Sequence, residues 1–258
     1  MAIPPSIPRA ALVTGGAKRI GRAIALALAE AGFDVAIHHG NSLAEAEETA
    51  DAVRALGRRA VTLRADLGRE AEVESLVPDA TAGLGPIGVL VNNASRFERD
   101  EWDTATRGSW DAHLEPNLRA PFVLTQAMAL ALPEGAEGAV VNMLDQRVLS
   151  LTPHFVSYTV SKAALWALTQ SMALALAPRV RVNGIGPGPT IASSRQTPEQ
   201  FQAQCESTPL QRGSSPEEMG QAVIALLSLT SMTGGMIALD GGQHLQWSPA
   251  RSTEGIEE

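Results

Sequence analysis

The feature that most restricts what this chain can fold into is its alternation of short apolar runs with helix-period segments. "AALVTGG" (10–16), "DVAIHH" (34–39), "AVTLRAD" (60–66), "IGVLVNNA" (87–94), the run at 138–144, "RVRVNGIGPG" (179–188) and "GGMIALDGG" (234–242) read as strands. Between them lie helix-period segments at 19–32, 42–57, about 69–83, about 104–132, about 155–177 and about 215–229. Gly32 and Gly57 are helix stops, and Ser42 is expected to cap the second helix. This order predicts one α/β domain, a doubly wound parallel sheet with helices on both faces. The core is expected at about 9–247. A substrate loop with a short helix is expected at 189–214, and a polar, disordered tail at 248–258.

Bulk properties narrow the function. The chain has 258 residues, is 45% hydrophobic and carries a formal net charge of −8. It can bury a substantial core, and its acidity argues against nucleic-acid binding. Its one cysteine permits no internal disulfide, which fits a reducing compartment. No signal peptide and no run of about 18 apolar residues is evident. A cytoplasmic protein is expected, with no membrane partner. The five histidines include no HxxxH pair, and no metal site is expected. Segments 118–132 and 161–177 are apolar or small almost all round, so they are expected to form a subunit interface.

Two motifs carry chemistry. "TGGAKRIG" (14–21) joins the first strand to the first helix. Gly15 and Gly21 allow close backbone approach, and the helix N-terminus offers N–H groups to a pyrophosphate. Arg22 and Ala23 after Gly21 do not match a P-loop. The end of the second strand, "IHHGNS" (37–42), lacks the carboxylate that would hold the 2′-OH of NAD. Arg19 can pair with a 2′-phosphate and Ser42 can donate to it, so NADP is favoured. Lys18 adds positive charge. The second motif is Tyr158 and Lys162, which share one helix face at i, i+4. The ammonium is expected to lower the tyrosine pKa and make Tyr158 a general acid/base.

Together, "TGGAKRIG", "AD" (65–66), "NNAS" (92–95), Asn117, "YTVSK" (158–162), "RVNGIGPG" (181–188) and "DGG" (240–242) resemble the short-chain dehydrogenase/reductases over about residues 9–247. The resemblance implies a Rossmann fold, a nicotinamide cofactor and a homotetramer, here through helices 104–132 and 155–177. It implies that Tyr158 gives a proton while the nicotinamide gives hydride, and that Lys162 holds the nicotinamide ribose. Asn117 would keep its helix kinked and support a relay water. Asp66 would contact adenine, Asn93 and Ala94 would pass close to the cofactor, and Pro187, Gly188 and Thr190 would line its nicotinamide end. Ile20, His39, Asn41 and Leu67 complete the expected cofactor set.

One position departs from the family. Thirteen residues before Tyr158, where most members have serine, stands Asp145. "NMLD" (142–145), Arg19 and "NNASRF" (92–97) resemble the pteridine reductases and the related bacterial dihydromonapterin and dihydrofolate reductases. By that resemblance Phe97 stacks on a pterin, and Arg19 and Ser95 bond to pterin or phosphate. "HHGNSLAEAE" (38–47) is similar too, although Asn41 stands where an arginine for the 2′-phosphate is expected. Asp145 would assist Tyr158 in protonating a C=N bond; the plainer reading is that it caps a loop or pairs with Arg147. The rivals are an NADP-dependent carbonyl reductase for a ketone or 3-oxoacyl substrate, and a non-catalytic NADP sensor.

Overall fold

The computed structural model describes residues 2–193 and 195–246. Seven strands form one sheet: β1 (Ala10–Val13), β2 (Asp34–His39), β3 (Ala60–Arg64), β4 (Val89–Asn92), β5 (Gly138–Met143), β6 (Val180–Pro187) and β7 (Met236–Leu239). Their order is β3-β2-β1-β4-β5-β6-β7, with every neighbouring pair parallel. Strands β1, β4 and β5 are buried on both faces, which is why they read as unbroken apolar runs. The direction of winding reverses between β1 and β4. Their C-terminal ends therefore open on the crevice where such sheets bind ligands.

Helices α1 (Arg19–Glu30), α2 (Leu43–Ala55) and α8 (Pro216–Ser228) cover one face. Helices α3 (Glu70–Leu84), α5 (Ala120–Ala131) and α6 (Val156–Leu176) cover the other. Gly32 and Gly57 follow α1 and α2 with φ of 90° and 76°, a left-handed conformation that glycine adopts without strain. Ser42 occupies the N-cap position of α2, but its side chain makes no cap bond. The expected substrate loop contains α7 (Pro198–Glu206), started by a Thr197–Gln200 capping box. The expected tail at 248–258, and Trp247 before it, lie outside the described residues.

The segment 104–132 differs from its expected single helix. It divides into α4 (Arg107–Leu114), a π turn (Glu115–Arg119) and α5. The apolar period runs through the break, so the pattern hides it. Asn117, fully buried, sits in the π turn. Its Oδ1 accepts from the Arg96 N–H at 2.8 Å, and its Nδ2 donates to Arg96 O and Ser161 Oγ, both at 3.0 Å. These bonds use the amide to fasten the widened turn to the loop after β4 and to α6.

Candidate active site

The glycine loop is tied to three strands. Gly15 has φ of 61°. A Cβ on Gly21 would overlap the Gly15 carbonyl and stand 2.7 Å from Asn93 Nδ2, so only glycine fits. Thr14 Oγ1 accepts from the N–H groups of Asn93 at 2.9 Å and Ala94 at 3.0 Å. Asn93 Nδ2 donates back to Thr14 O at 2.8 Å and Gly15 O at 3.2 Å. From the other side His38 Nδ1 accepts the Gly15 N–H at 3.1 Å. That acceptor role leaves its proton on Nε2, which faces Ala65 O at 3.1 Å. Burial lowers the His38 pKa to about 4, against the opposing effect of the Ala65 bond, so the ring is neutral. Adjacent positions alone did not single out His38.

Beside this loop lies a cleft of about 690 Å³. Of the expected cofactor residues, Gly15, Asn41, Asp66, Leu67, Ala94 and Ser95 line it. Others have different surroundings. Lys18 is 3.6 Å from Glu45, and Ile20 packs against the core. The His39 ring is buried rather than at the cleft, with Nδ1 unpartnered among the described residues. Ser42 is not among the lining residues. Arg19, expected at a phosphate, instead donates to the carbonyls of Ile191 and Ala192 at 3.2–3.3 Å. Its φ of 55° accompanies this turn toward the loop after β6. At the end of β6 a Cβ on Gly188 would come within 2.6 Å of Asp240 Cα, so the chain packs there backbone to backbone. Thr190 Oγ1 lies 2.7 Å from Ser214 Oγ, joining Pro187 and Gly188 to the base of α8.

Tyr158, Lys162 and Asp145 meet at the C-terminal end of β5. The Tyr158 hydroxyl donates to Asp145 Oδ2 at 2.8 Å. Asp145 Oδ1 accepts from the Arg147 N–H at 2.9 Å, so the carboxylate also caps the short 3₁₀ turn Gln146–Val148. The bond to Tyr158 and the loop capping, expected as rivals, coexist on its two oxygens. Lys162 Nζ donates to Met143 O at 2.8 Å and lies 5.8 Å from the Tyr158 ring centre. The expected lowering of the tyrosine pKa is not what the structure has. Burial, and then the negative charge of Asp145, hold the phenol well above its ordinary value. Lys162 is itself lowered to about 8 by burial, with Asp145 opposing. Burial moves both groups toward their neutral forms; the carboxylate adds to that shift at Tyr158 and opposes it at Lys162.

The start of α6 is fixed by groups that sequence reasoning passed over. Asp100 Oδ1 accepts from the Ser157 N–H at 3.1 Å, and Asp100 Oδ2 from the Ser157 hydroxyl at 2.5 Å. Burial raises the Asp100 pKa, but these bonds outweigh it and hold the carboxyl below its usual range. His113 Nδ1 lies 2.7 Å from Ser157 Oγ. Further along, the buried chain Asn92–Asn142–Thr169 links β4, β5 and α6 through two 2.8 Å bonds. The tyrosine is therefore held by a rigid helix with buried polar anchors at both the sheet and the preceding loop.

Phe97 lies over this group, but its first partner is Phe155. The rings stack at 4.7 Å between centres and 13°, while the Tyr158 ring meets Phe97 edgewise at 4.6 Å. Phe155 is buried, left-handed at φ of 56°, and immediately precedes α6. Arg147 and Arg195 flank the phenyl pair, with guanidinium carbons 5.5 Å and 5.0 Å from the Phe97 ring centre. Arg195 also donates to Phe97 O at 3.3 Å, drawing the loop before α7 over the site. The tyrosine, acid and aromatic shelf together suit a flat, polar substrate that needs a proton.

The family profile described as Enoyl-(Acyl carrier protein) reductase matches residues 15–244. The chain belongs to the short-chain dehydrogenase/reductase family. It is an oxidoreductase of that family. Among solved structures, the FolM Alternative dihydrofolate reductase 1 of Brucella canis, complexed with NADP, is 47% identical. Its TM-score is 0.92, covering 96% of this chain and 100% of that one. The Brucella suis protein of the same name, also with NADP, is 49% identical with a TM-score of 0.90, covering 93% and 96%. A 3-oxoacyl-[acyl-carrier-protein] reductase of Staphylococcus epidermidis is 29% identical over 245 residues, covering 92% of this chain and 99% of that one. Among the described residues no helix is long and apolar enough to cross a membrane.

Proposed function

We propose that this protein is an NADPH-dependent reductase that adds hydride and a proton across a C=N bond of a pterin or a dihydrofolate. The observation that carries the reading is the Tyr158 hydroxyl donating to Asp145 Oδ2 at 2.8 Å. NADP-bound relatives named as dihydrofolate reductases, at 47% and 49% identity, support it. The glycine cradle, which a Cβ at Gly21 would fill, fits a dinucleotide pyrophosphate against the N-terminus of α1. Asp66 and Leu67 would hold the adenine, Asn93 and Ala94 the middle of the cofactor, and Pro187, Gly188 and Thr190 its nicotinamide end. Bound NADPH supplies the hydride.

The protein's residues supply the proton. A raised pKa keeps the phenol of Tyr158 protonated at neutral pH, as a donor must be. Tyr158 gives that proton to the substrate nitrogen, and the resulting phenolate lies near the cations of Lys162 and Arg147. Asp145, with its side chain 20% exposed, orients the hydroxyl and connects it to solvent for reprotonation. Lys162 would also bind the nicotinamide ribose. Asn117 positions α6 and the loop carrying Ser95. Phe97 would move from Tyr158 to stack on the heterocycle, with Arg19 and Ser95 bonding to its polar edge.

A second reading, reduction of a ketone or 3-oxoacyl carbonyl, is favoured by the Staphylococcus relative. The test is NADPH oxidation, followed by absorbance, with dihydrobiopterin, dihydrofolate and a panel of simple ketones. Turnover confined to the pterins is expected. Turnover confined to ketones would replace the reading with carbonyl reduction. We further propose a homotetramer through the α4–α5 segment and α6, where Leu130 and Leu174 are 80% and 84% exposed in the single chain. Light scattering of the purified protein measures the assembly.

A further inference from the structure

The cofactor cleft has a charge problem at the end of β2. A 2′-phosphate there needs a cation, yet His38 is neutral, Asn41 and Ser42 are uncharged, and Gly40 has no side chain. Three nearby cations are engaged elsewhere. Lys18 is beside Glu45, and Arg19 is on the carbonyls of Ile191 and Ala192. Arg69 lies 3.5 Å from Asp66 and 3.4 Å from Glu72. The cleft is also lined by four acids, Asp66, Glu72, Asp111 and Glu115.

One arginine is different. Arg64, the last residue of β3, lines the same cleft and is exposed. Among the described residues it makes no side-chain hydrogen bond or ion pair, unlike the other two arginines of the lining, Arg69 and Arg96. Strand register places it directly beside His39, one residue before Gly40. Side-chain alternation puts Arg64 on the same face as Thr62, whose hydroxyl donates to Glu47 of α2 at 2.6 Å. Arg64 stands two residues beyond Thr62 along the strand, beside the end of β2. Nothing lies within 4 Å of where a Gly40 Cβ would be, so the space between is open.

We propose that Arg64 determines cofactor selectivity: its guanidinium binds the 2′-phosphate of NADP from the neighbouring strand, across the open space at Gly40. This rests on the NADP reading above and is independent of the pterin. The charge reaches the phosphate from β3 rather than from the β2–α2 turn. Arg64 therefore acts on the phosphorylated ribose alone and leaves the rest of the cleft undisturbed.

The test is calorimetric titration of wild type and Arg64→Gln with 2′,5′-ADP and with 5′-ADP, and of each with NADPH and NADH. Loss of one charge-assisted contact should weaken 2′,5′-ADP and NADPH roughly ten- to a hundredfold. Affinity for 5′-ADP and NADH should change less than about twofold. Its salt dependence for 2′,5′-ADP should also become shallower. If wild type discriminates but Arg64→Gln loses affinity equally for both classes, or for neither, the assignment of Arg64 is overturned and the NADP reading stands. If wild type does not prefer the 2′-phosphorylated ligands, both fall together.

Discussion

His38 makes a quantitative prediction about acid stability. Its folded pKa is about 4 against an ordinary value of 6.5. The sign follows from proton counting: between those values the unfolded chain binds a proton that the folded chain refuses. The group's stabilising contribution is therefore full above 6.5 and is lost as pH falls toward 4. Each pH unit within the window costs about 1.4 kcal/mol, so by pH 5 the loss from this group alone is about 2 kcal/mol. The cause is burial of the ring, and protonating Nδ1 would also set an N–H against the Gly15 N–H it now accepts. The assay is urea denaturation of the ligand-free protein from pH 7.5 to 5, for wild type and His38→Asn. Wild type should lose about 2 kcal/mol more than the variant over that range, although the variant starts lower for want of its loop bonds. Equal pH slopes in the two proteins, or a His38 ring signal titrating near 6.5 in NMR, would refute the reasoning.

Two further substitutions test the site's design. Lys162→Met should raise stability while removing activity. The folded pKa of about 8, against 10.5, means the buried ammonium costs up to about 3 kcal/mol at pH 7, partly offset by about 1 kcal/mol from its bond to Met143 O. Wild type should gain stability as pH rises from about 8 toward 10.5 and the variant should not, as thermal unfolding across that range would measure. Gly21→Ala should cost about 1–3 kcal/mol of stability and weaken NADPH binding at least tenfold, because its Cβ meets the Gly15 carbonyl and Asn93. Calorimetric titration of the folded variant reads the second effect.

Much of this architecture was legible because each cue is local. Buried parallel strands read as apolar runs, Gly32 and Gly57 end helices by backbone geometry, and the i, i+4 rule places Tyr158 and Lys162 on one face. Asp145 stood out because an acid where an apolar strand ends demands a partner, and the partner is Tyr158. What escaped depends on contacts distant in sequence. Phe155 meets Phe97 from 58 positions away, and Arg19 turns to carbonyls more than 170 residues on. The π turn at Glu115–Arg119 keeps the apolar period, so only Pro116 and Asn117 mark it. The direction of the Tyr158 shift follows from the sum of burial and two or more charges, whereas spacing identifies only Lys162. His38 escaped because adjacent histidines say nothing about which one meets the glycine loop.

The most direct test of the Tyr158–Asp145 pair is steady-state turnover of a dihydropterin by wild type and by Asp145→Ser, with NADPH saturating. The serine variant retains Tyr158 and Lys162 and should bind NADPH as before. We predict that kcat/KM for the dihydropterin falls at least about a hundredfold, in the range expected for losing a partner in proton transfer. Wild-type turnover of the dihydropterin left undiminished in Asp145→Ser would contradict the account, because the carboxylate bonded to Tyr158 would then have no part in the reaction.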